Sequence, residues 1–320
     1  MVLKPVRIFL DTRDLVYLSK VTADPALYVG RERAYAQVKR WMIEGVCTPL
    51  FYEPLAYEWL REGHLASAME LAVLYDNSAN LLQVEPDPLI FILEALNGCR
   101  QVRPDLGIPQ FEIVRQFSLQ SPCADFLRQH LPAAQEGLTR MVVESPVRVP
   151  STVKSLVKTL HAHIKSNDEP WRVAIDGFEE SLRVTREDKA SRSDTSRYSS
   201  KTILHWLVYQ KRVGEILTSL DPEIDPMQVI QEIDLEACPA TLLWVNAYDQ
   251  YVRANPTMRE DHDIIDVAFV PALAYADASL IEKRMRAYVH QGESGMRDSV
   301  FSDPVEFVQR VGAVVGLKTE

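Results

Sequence analysis

Val6-Arg7-Ile8-Phe9-Leu10-Asp11-Thr12 is the stretch from which the rest of the chain can be read. It is almost continuously apolar and β-favouring, with Arg7 the one charge before Asp11, and it predicts a strand buried on both faces. The run stops abruptly at a carboxylate and a hydroxyl. In an open parallel sheet, groups that do chemistry gather where strands end at their carboxyl edge, and Asp11 stands at such an end.

Working outward, strand and helix alternate. Residues 13–20 begin a helix. Arg31 to Glu44 places Ala34, Val38, Trp41 and Met42 on one helical face and is stopped by Gly45. Val46 to Leu50 is a second strand, and Pro54 marks the first turn of a helix that carries Glu58. His64 to Tyr75 is helical, and Asn80 to Val84 is a third strand. Far along the chain the same alternation returns. A helix over 261–273 leads to a fourth strand, Ala278 to Ile281. A helix from Glu282 to Val289, a fifth strand from Ser299 to Phe301 and a closing helix from Pro304 to Val311 follow. Alternation of this kind predicts an α/β fold built on a parallel sheet.

Between these halves the pattern is different. Asp87-Pro88 caps and opens a helix through Leu96. Further helices are expected near 109–119, 123–130, 151–165, 171–183, 200–219, 226–233 and 240–253. The expected organisation is one discontinuous α/β domain over 1–86 and 255–320, interrupted by a mostly helical insertion over 87–254.

The 320 residues suffice for a large core and such an insertion. A net charge of −10 argues against coating nucleic acid by bulk attraction, although a local basic patch can still steer a phosphate backbone. No apolar run reaches the roughly 18 residues of a membrane helix, so no membrane association is expected. Met1 to Pro5 runs straight into a strand, so no signal peptide is expected. Cys47, Cys99, Cys123 and Cys238 are scattered without a C-x-x-C pair, which fits a reducing, cytoplasmic setting rather than a disulfide framework or a zinc site.

Carboxylates converge on the two strand ends. Asp11 ends the first strand and Glu282 the fourth. Asp277 precedes the fourth strand. Asp263 and Asp266, one turn apart, share a face of the helix leading into it. Glu58 lies in the helix after the second strand, with Glu53 its rival for that place. Acids drawn together from both ends of the chain repel one another unless a cation lies among them. Hard oxygen ligands with open water positions suit Mg²⁺ or Mn²⁺, which activates water and stabilises charge on a phosphodiester.

These residues carry a resemblance. Ile8-Phe9-Leu10-Asp11-Thr12 resembles the opening motif of the PIN-domain superfamily, a strand ending in Asp-Thr or Asp-Ser. Asp263-x-x-Asp266, Leu273-Ala274-Tyr275-Ala276-Asp277, Ile281-Glu282-Lys283-Arg284-Met285 and Ser302-Asp303-Pro304-Val305-Glu306-Phe307 resemble the corresponding end of long PIN-like proteins. The resemblance covers about residues 5–85 and 255–315. It implies strand order 3-2-1-4-5, a Mg²⁺ or Mn²⁺ site and endoribonuclease activity on RNA. By position it implies Asp11 as first acid, Glu58 or Glu53 as second, Asp263 or Asp266 as third and Glu282 as fourth, where the family usually has Asp. Thr12 matches the small hydroxyl residue after the first acid.

One further segment bears on substrate. Residues 182–201 are polar and Ser-rich, with Arg183, Arg186, Lys189, Arg192, Arg197 and Lys201 against Glu187, Asp188 and Asp194. They read as a solvated surface loop. Alternatively, Arg192 and Arg197 contact phosphates while Tyr198 stacks on a base. Trp206, Tyr209, Trp244, Tyr248 and Tyr251 read as core rather than a stacking platform. His262 reads as exposed, or as tuning Asp263. Phosphate-binding glycine loops and a G-x-S-x-G elbow are absent.

Three readings follow: a metal-dependent ribonuclease, a catalytically inactive PIN-like scaffold that binds a protein partner through its helical insertion, and a phosphomonoesterase on the same acids. Assembly with a second copy of the chain is left open.

Overall fold

The computed structural model describes residues 4–61, 65–85, 89–117, 123–130, 151–166, 212–254, 268–291 and 296–316. Strand β1 (Val6–Leu10) leads into α1 (Thr12–Lys20), then α2 (Gly30–Glu44), β2 (Cys47–Tyr52), α3 (Glu53–Arg61), α4 (Leu65–Asp76) and β3 (Leu82–Val84). Next come α5 (Leu89–Val102), β4 (Val114–Gln116), α6 (Cys123–His130) and α7 (Val153–Ser166). After residue 211 follow α8 (Gly214–Leu220), α9 (Pro226–Glu232), α10 (Pro239–Ala254), the short α11 (Val270–Leu273), β5 (Ala278–Leu280), α12 (Lys283–Gln291), β6 (Val300–Phe301) and α13 (Pro304–Val314).

The architecture is α/β: a six-stranded sheet, mostly parallel and flanked by helices, in the order β4-β3-β2-β1-β5-β6. β1 pairs in parallel with β2 on one side and β5 on the other. Ile8, Phe9 and Leu10 are all buried, as is every residue of β2, so helices cover both faces of the sheet centre.

The order differs from the expected 3-2-1-4-5 because a strand stands where the spacing predicts a helix over 109–119. β4 pairs antiparallel with β3 at the sheet edge. Pro109 interrupts helix formation there, and Phe111 and Ile113 are buried on either side of exposed Glu112, a two-residue period that suits a strand. A buried ion pair, Arg115 Nε to Glu85 Oε1 at 2.7 Å, locks this strand to the end of β3. The helices expected over 171–183 and over most of 200–219 lie outside the described residues, as do Asp87-Pro88 and the start of the helix expected from Asp261.

Local chemistry explains the boundaries. Asp11 caps α1 by accepting the Asp14 amide at 2.9 Å. Gly45 ends α2 in the left-handed region (φ 76°). There a Cβ would be both conformationally strained and crowded against Ala79, at 3.3 Å. Asp303 caps α13 by accepting the amides of Val305 and Glu306, with Pro304 at the first helical position. Asp76, the last residue of α4, accepts the amides of Val153 and Lys154 and so starts α7 beside it.

The most heavily bonded junction is at Glu94, buried in the middle of α5. Its carboxylate accepts the amides of Ala240 and Thr241 (2.7 and 2.9 Å), the Thr241 hydroxyl (2.6 Å) and the Tyr275 hydroxyl (2.5 Å). A negative charge thus sits on the N-terminus of the 16-residue α10. α10 packs on α5, α11 and α12, and Tyr275 follows α11, so this one carboxylate ties three segments to the wall that α11 forms beside β1.

Candidate functional site

The strands deliver two acids to one place. The Asp11 amide donates to the Leu280 carbonyl (3.1 Å), and the Ile281 amide donates to the Phe301 carbonyl (2.9 Å). These bonds set the ends of β1, β5 and β6 side by side. Asp11, directly after β1, and Glu282, two residues after β5, line one open cleft with Phe269, Val270, Leu273, Ile281 and Met285. Among the described residues its walls are apolar, and Asp11 and Glu282 are its ionisable groups. The Asp11 carboxylate, its side chain 13% exposed, is poorly hydrated against such a wall, which strengthens its attraction for a cation.

The surroundings of Asp11 are crowded with charge. Asp14, one helical turn on, is 1% exposed. It accepts the Tyr35 hydroxyl from α2 at 2.6 Å and an Arg13 N–H at 2.9 Å. The same Arg13 nitrogen lies 3.9 Å from the second Asp11 oxygen. Burial, then the neighbouring Asp14 charge, push the Asp11 carboxyl well above the usual carboxylate range, and Arg13 opposes them only in part. Burial, with the hydrogen bond to Asp14, likewise raises the Tyr35 phenol, which therefore stays a donor.

The second expected acid enters from α3. The Thr12 hydroxyl donates a hydrogen bond to the Glu58 carboxylate. Glu58 is thereby joined to the residue next to Asp11. Glu53, its rival, opens α3 directly after β2 and is half-buried.

Asp277 is not brought to this place. Its carboxylate accepts the Arg7 amide at 2.8 Å and forms a two-point pair with the Arg7 guanidinium at 2.8 and 3.2 Å. Asp277 precedes β5 as Glu282 follows it, so the two acids stand at opposite edges of the sheet. At about 3.3 Å per residue, that separation is too large for a shared ion. Asp263, Asp266 and His262 lie outside the described residues, as do Arg192, Arg197 and Tyr198 and the aromatic rings of Trp206 and Tyr209. Of the aromatic group read as core, Tyr251 is buried and Trp244 packs on Phe91 with ring centroids 5.6 Å apart.

Among the described residues no three of His, Cys, Asp and Glu come close enough together to hold a metal ion. The donors at the cleft still suit one cation. Mg²⁺ keeps several waters and is commonly bound through one or two carboxylates together with substrate phosphates. Asp11 and Glu282 supply two carboxylates on one cleft, and Asp11 is a buried acid whose charge its neighbours leave poorly compensated.

Asp14, Arg13 and Tyr35 are the site neighbours that sequence reasoning passed over. A signal was available, since Asp14 falls with Leu15 and Leu18 on the buried side of α1. The four cysteines are buried and form no disulfide, and no described helix is long and apolar enough to cross a membrane. Comparison of the chain with family models, with curated proteins and with solved structures gives no match.

Proposed function

We propose that this chain is a PIN-like, divalent-metal-dependent ribonuclease that hydrolyses RNA phosphodiesters at the carboxyl edge of its sheet. The supporting observation is that Asp11 and Glu282, from opposite ends of the chain, line one apolar-walled cleft. Asp11 and Glu282 would hold Mg²⁺ or Mn²⁺, which when bound supplies charge stabilisation to a phosphodiester and lowers the pKa of water. The chain's own residues keep Asp11 in place: the Asp14 amide fixes one of its oxygens, while the Thr12 hydroxyl next to it holds Glu58. In the overall reaction water adds to phosphorus, the P–O bond to one ribose breaks, and that oxygen leaves with a proton. Phe269, Leu273 and Met285 form the apolar wall beside the two acids.

The test is cleavage of a fluorogenic single-stranded RNA with Mn²⁺ and with Mg²⁺. Cleavage that disappears in Asp11→Asn is the expected result. No cleavage with either ion, or equal cleavage by Asp11→Asn, overturns the proposal. The second reading, an inactive scaffold that binds a protein partner through residues 87–254, draws on the lack of a three-ligand cluster among the described residues. It predicts that Mn²⁺ leaves the melting temperature unchanged.

A further inference from the structure

We infer that Arg13, a guanidinium held by Asp14 3.9 Å from the carboxylate of the cleft residue Asp11, is an anion-contacting residue that receives a phosphodiester oxygen beside Asp11. The inference rests on the ribonuclease reading for its substrate class and on independent geometry for the residue.

Asp14 is buried to 1% exposure, whereas the Arg13 side chain it binds is 42% exposed. A buried carboxylate is therefore holding a cation that faces solvent. The order of the contacts runs outward from the core: the Tyr35 hydroxyl donates to one Asp14 oxygen at 2.6 Å, and the other accepts Arg13 at 2.9 Å. Tyr35 itself is 7% exposed and stacked on Tyr17, with ring centroids 5.5 Å apart, so the anchor is rigid.

Among the described residues the contacts of Arg13 run through one terminal nitrogen. Among the described residues no hydrogen bond involves its Nε or its other terminal nitrogen. A guanidinium has five N–H donors in a planar fork that matches two oxygens of a phosphate. Part of that fork is left to solvent at a fixed position near Asp11. Rigid placement matters because a pre-oriented Arg loses less rotamer entropy when it binds. The sign of the field matters as well. Asp11, Asp14, Glu58 and Glu282 together repel a phosphate, and Arg13 is a cation that lies against two of them, Asp14 at 2.9 Å and Asp11 at 3.9 Å.

The role is that of a binding residue, and it separates from a purely structural one by salt dependence. A single phosphate contact changes the slope of log affinity against log salt by about one, without sequence preference. The probe is 5′-labelled oligouridylate, titrated by fluorescence anisotropy with Ca²⁺ present at several salt concentrations. Arg13→Gln is expected to weaken binding about tenfold at low salt and to shallow the slope by about one. Arg13→Lys, which keeps the charge and loses the fork, falls between wild type and Arg13→Gln. The double variant Arg13→Gln/Asp14→Asn removes both charges of the pair, keeps the buried site neutral, and is expected to bind as weakly as Arg13→Gln alone.

Wild-type affinity and slope in the folded double variant overturn the inference. So does a loss equal at every salt concentration, which marks a general distortion. Arg13-dependent binding without any cleavage upholds this inference while the ribonuclease reading falls. Cleavage and binding indifferent to Arg13 do the reverse, and no binding by the wild type overturns the inference.

Discussion

The amide of Asp11 donates to the carbonyl of Leu280 at 3.1 Å, two residues before Glu282, and this bond extends the parallel pairing of β1 and β5 that brings the two cleft acids together from distant parts of the chain. Removing their charge separates a functional role from a structural one. Asp11→Asn keeps a good N-cap, since Asn caps helices about as well as Asp. It also removes a buried charge that burial and Asp14 disfavour. Its unfolding midpoint in urea is therefore expected to equal or exceed that of the wild type. The rise in melting temperature produced by Mn²⁺ is expected to vanish in the same variant, and RNA cleavage to fall by at least about a hundredfold, the equivalent of about 2.7 kcal/mol of transition-state stabilisation. Glu282→Gln should repeat the metal effect. Asp11→Asn that unfolds early and keeps its response to Mn²⁺ would reverse the assignment.

Glu94 makes the opposite kind of prediction. It touches nothing in the cleft, yet four donors converge on its carboxylate. Glu94→Ala strands those donors at a buried helix start, and leaving buried donors unpaired costs about 1–3 kcal/mol apiece before relaxation. A total loss of about 3–5 kcal/mol is expected, in line with other broken buried charge networks. Tyr275→Phe removes one donor and leaves the carboxylate three, so about 1 kcal/mol is expected. Urea denaturation measures both. A Glu94→Ala loss no larger than that of Tyr275→Phe would show that this junction does not hold α10.

The contrast between these acids shows what could be read from the chain itself. Asp11 was legible because a continuous apolar run ended on it, and Gly45 because a helix stop needs the left-handed conformation that glycine tolerates. Glu94 was opaque. It is the one acid in Leu89-Ile90-Phe91-Ile92-Leu93-Glu94-Ala95-Leu96, and its partners come from residues 240, 241 and 275, which only tertiary folding brings near. Asp14 was legible only in part: it shares the buried side of α1 with Leu15 and Leu18, but its partner Tyr35 arrives from another helix. β4 was legible only in part: Phe111 and Ile113 carry a two-residue period, but its pairing depends on β3 and on Glu85. Asp277 is different: in a parallel sheet the residue before a strand and the residue after it stand at opposite edges, so its exclusion followed from the strand bounds alone.

Gly98 tests the packing between α5 and the segment after α9. A Cβ built there lies 2.5 Å from Ile233 Cγ2 and 3.3 Å from its Cγ1. Ile233 is branched at Cβ, so Cγ2 cannot swing away without a rotamer change. Gly98→Ala gains about 1 kcal/mol in helix propensity. Overpacking of a filled core costs about 1–3 kcal/mol, and a contact this close puts the cost at the upper end. A net loss of about 1–2 kcal/mol is expected by urea denaturation. Combining it with Ile233→Ala, which opens the space, should recover at least about 1 kcal/mol as coupling in a double-mutant cycle. Additivity of the two substitutions would mean that the helix backbone shifts instead.

Asp277 closes the series because it predicts a pH dependence and a negative control together. Burial raises its carboxyl, but its bonds to the Arg7 amide and guanidinium outweigh that and hold it below the usual range. In the unfolded chain an Asp titrates near 3.9, so between that value and the lower folded one the unfolded state binds more protons. Stability from this pair is thus fully present above about pH 4 and is lost as pH falls through the folded value. With both side chains about a third exposed, solvent screens the pair, and Asp277→Asn is expected to cost only about 1 kcal/mol at neutral pH. Urea midpoints of variant and wild type should converge as the medium is acidified below about pH 4. Because Asp277 stands at the amino edge of β5, the rise in melting temperature with Mn²⁺ should be the same in Asp277→Asn as in wild type. Loss of that response here, with retention in Glu282→Gln, would move the cation to the other edge of the sheet and remove the basis for assigning chemistry to Asp11.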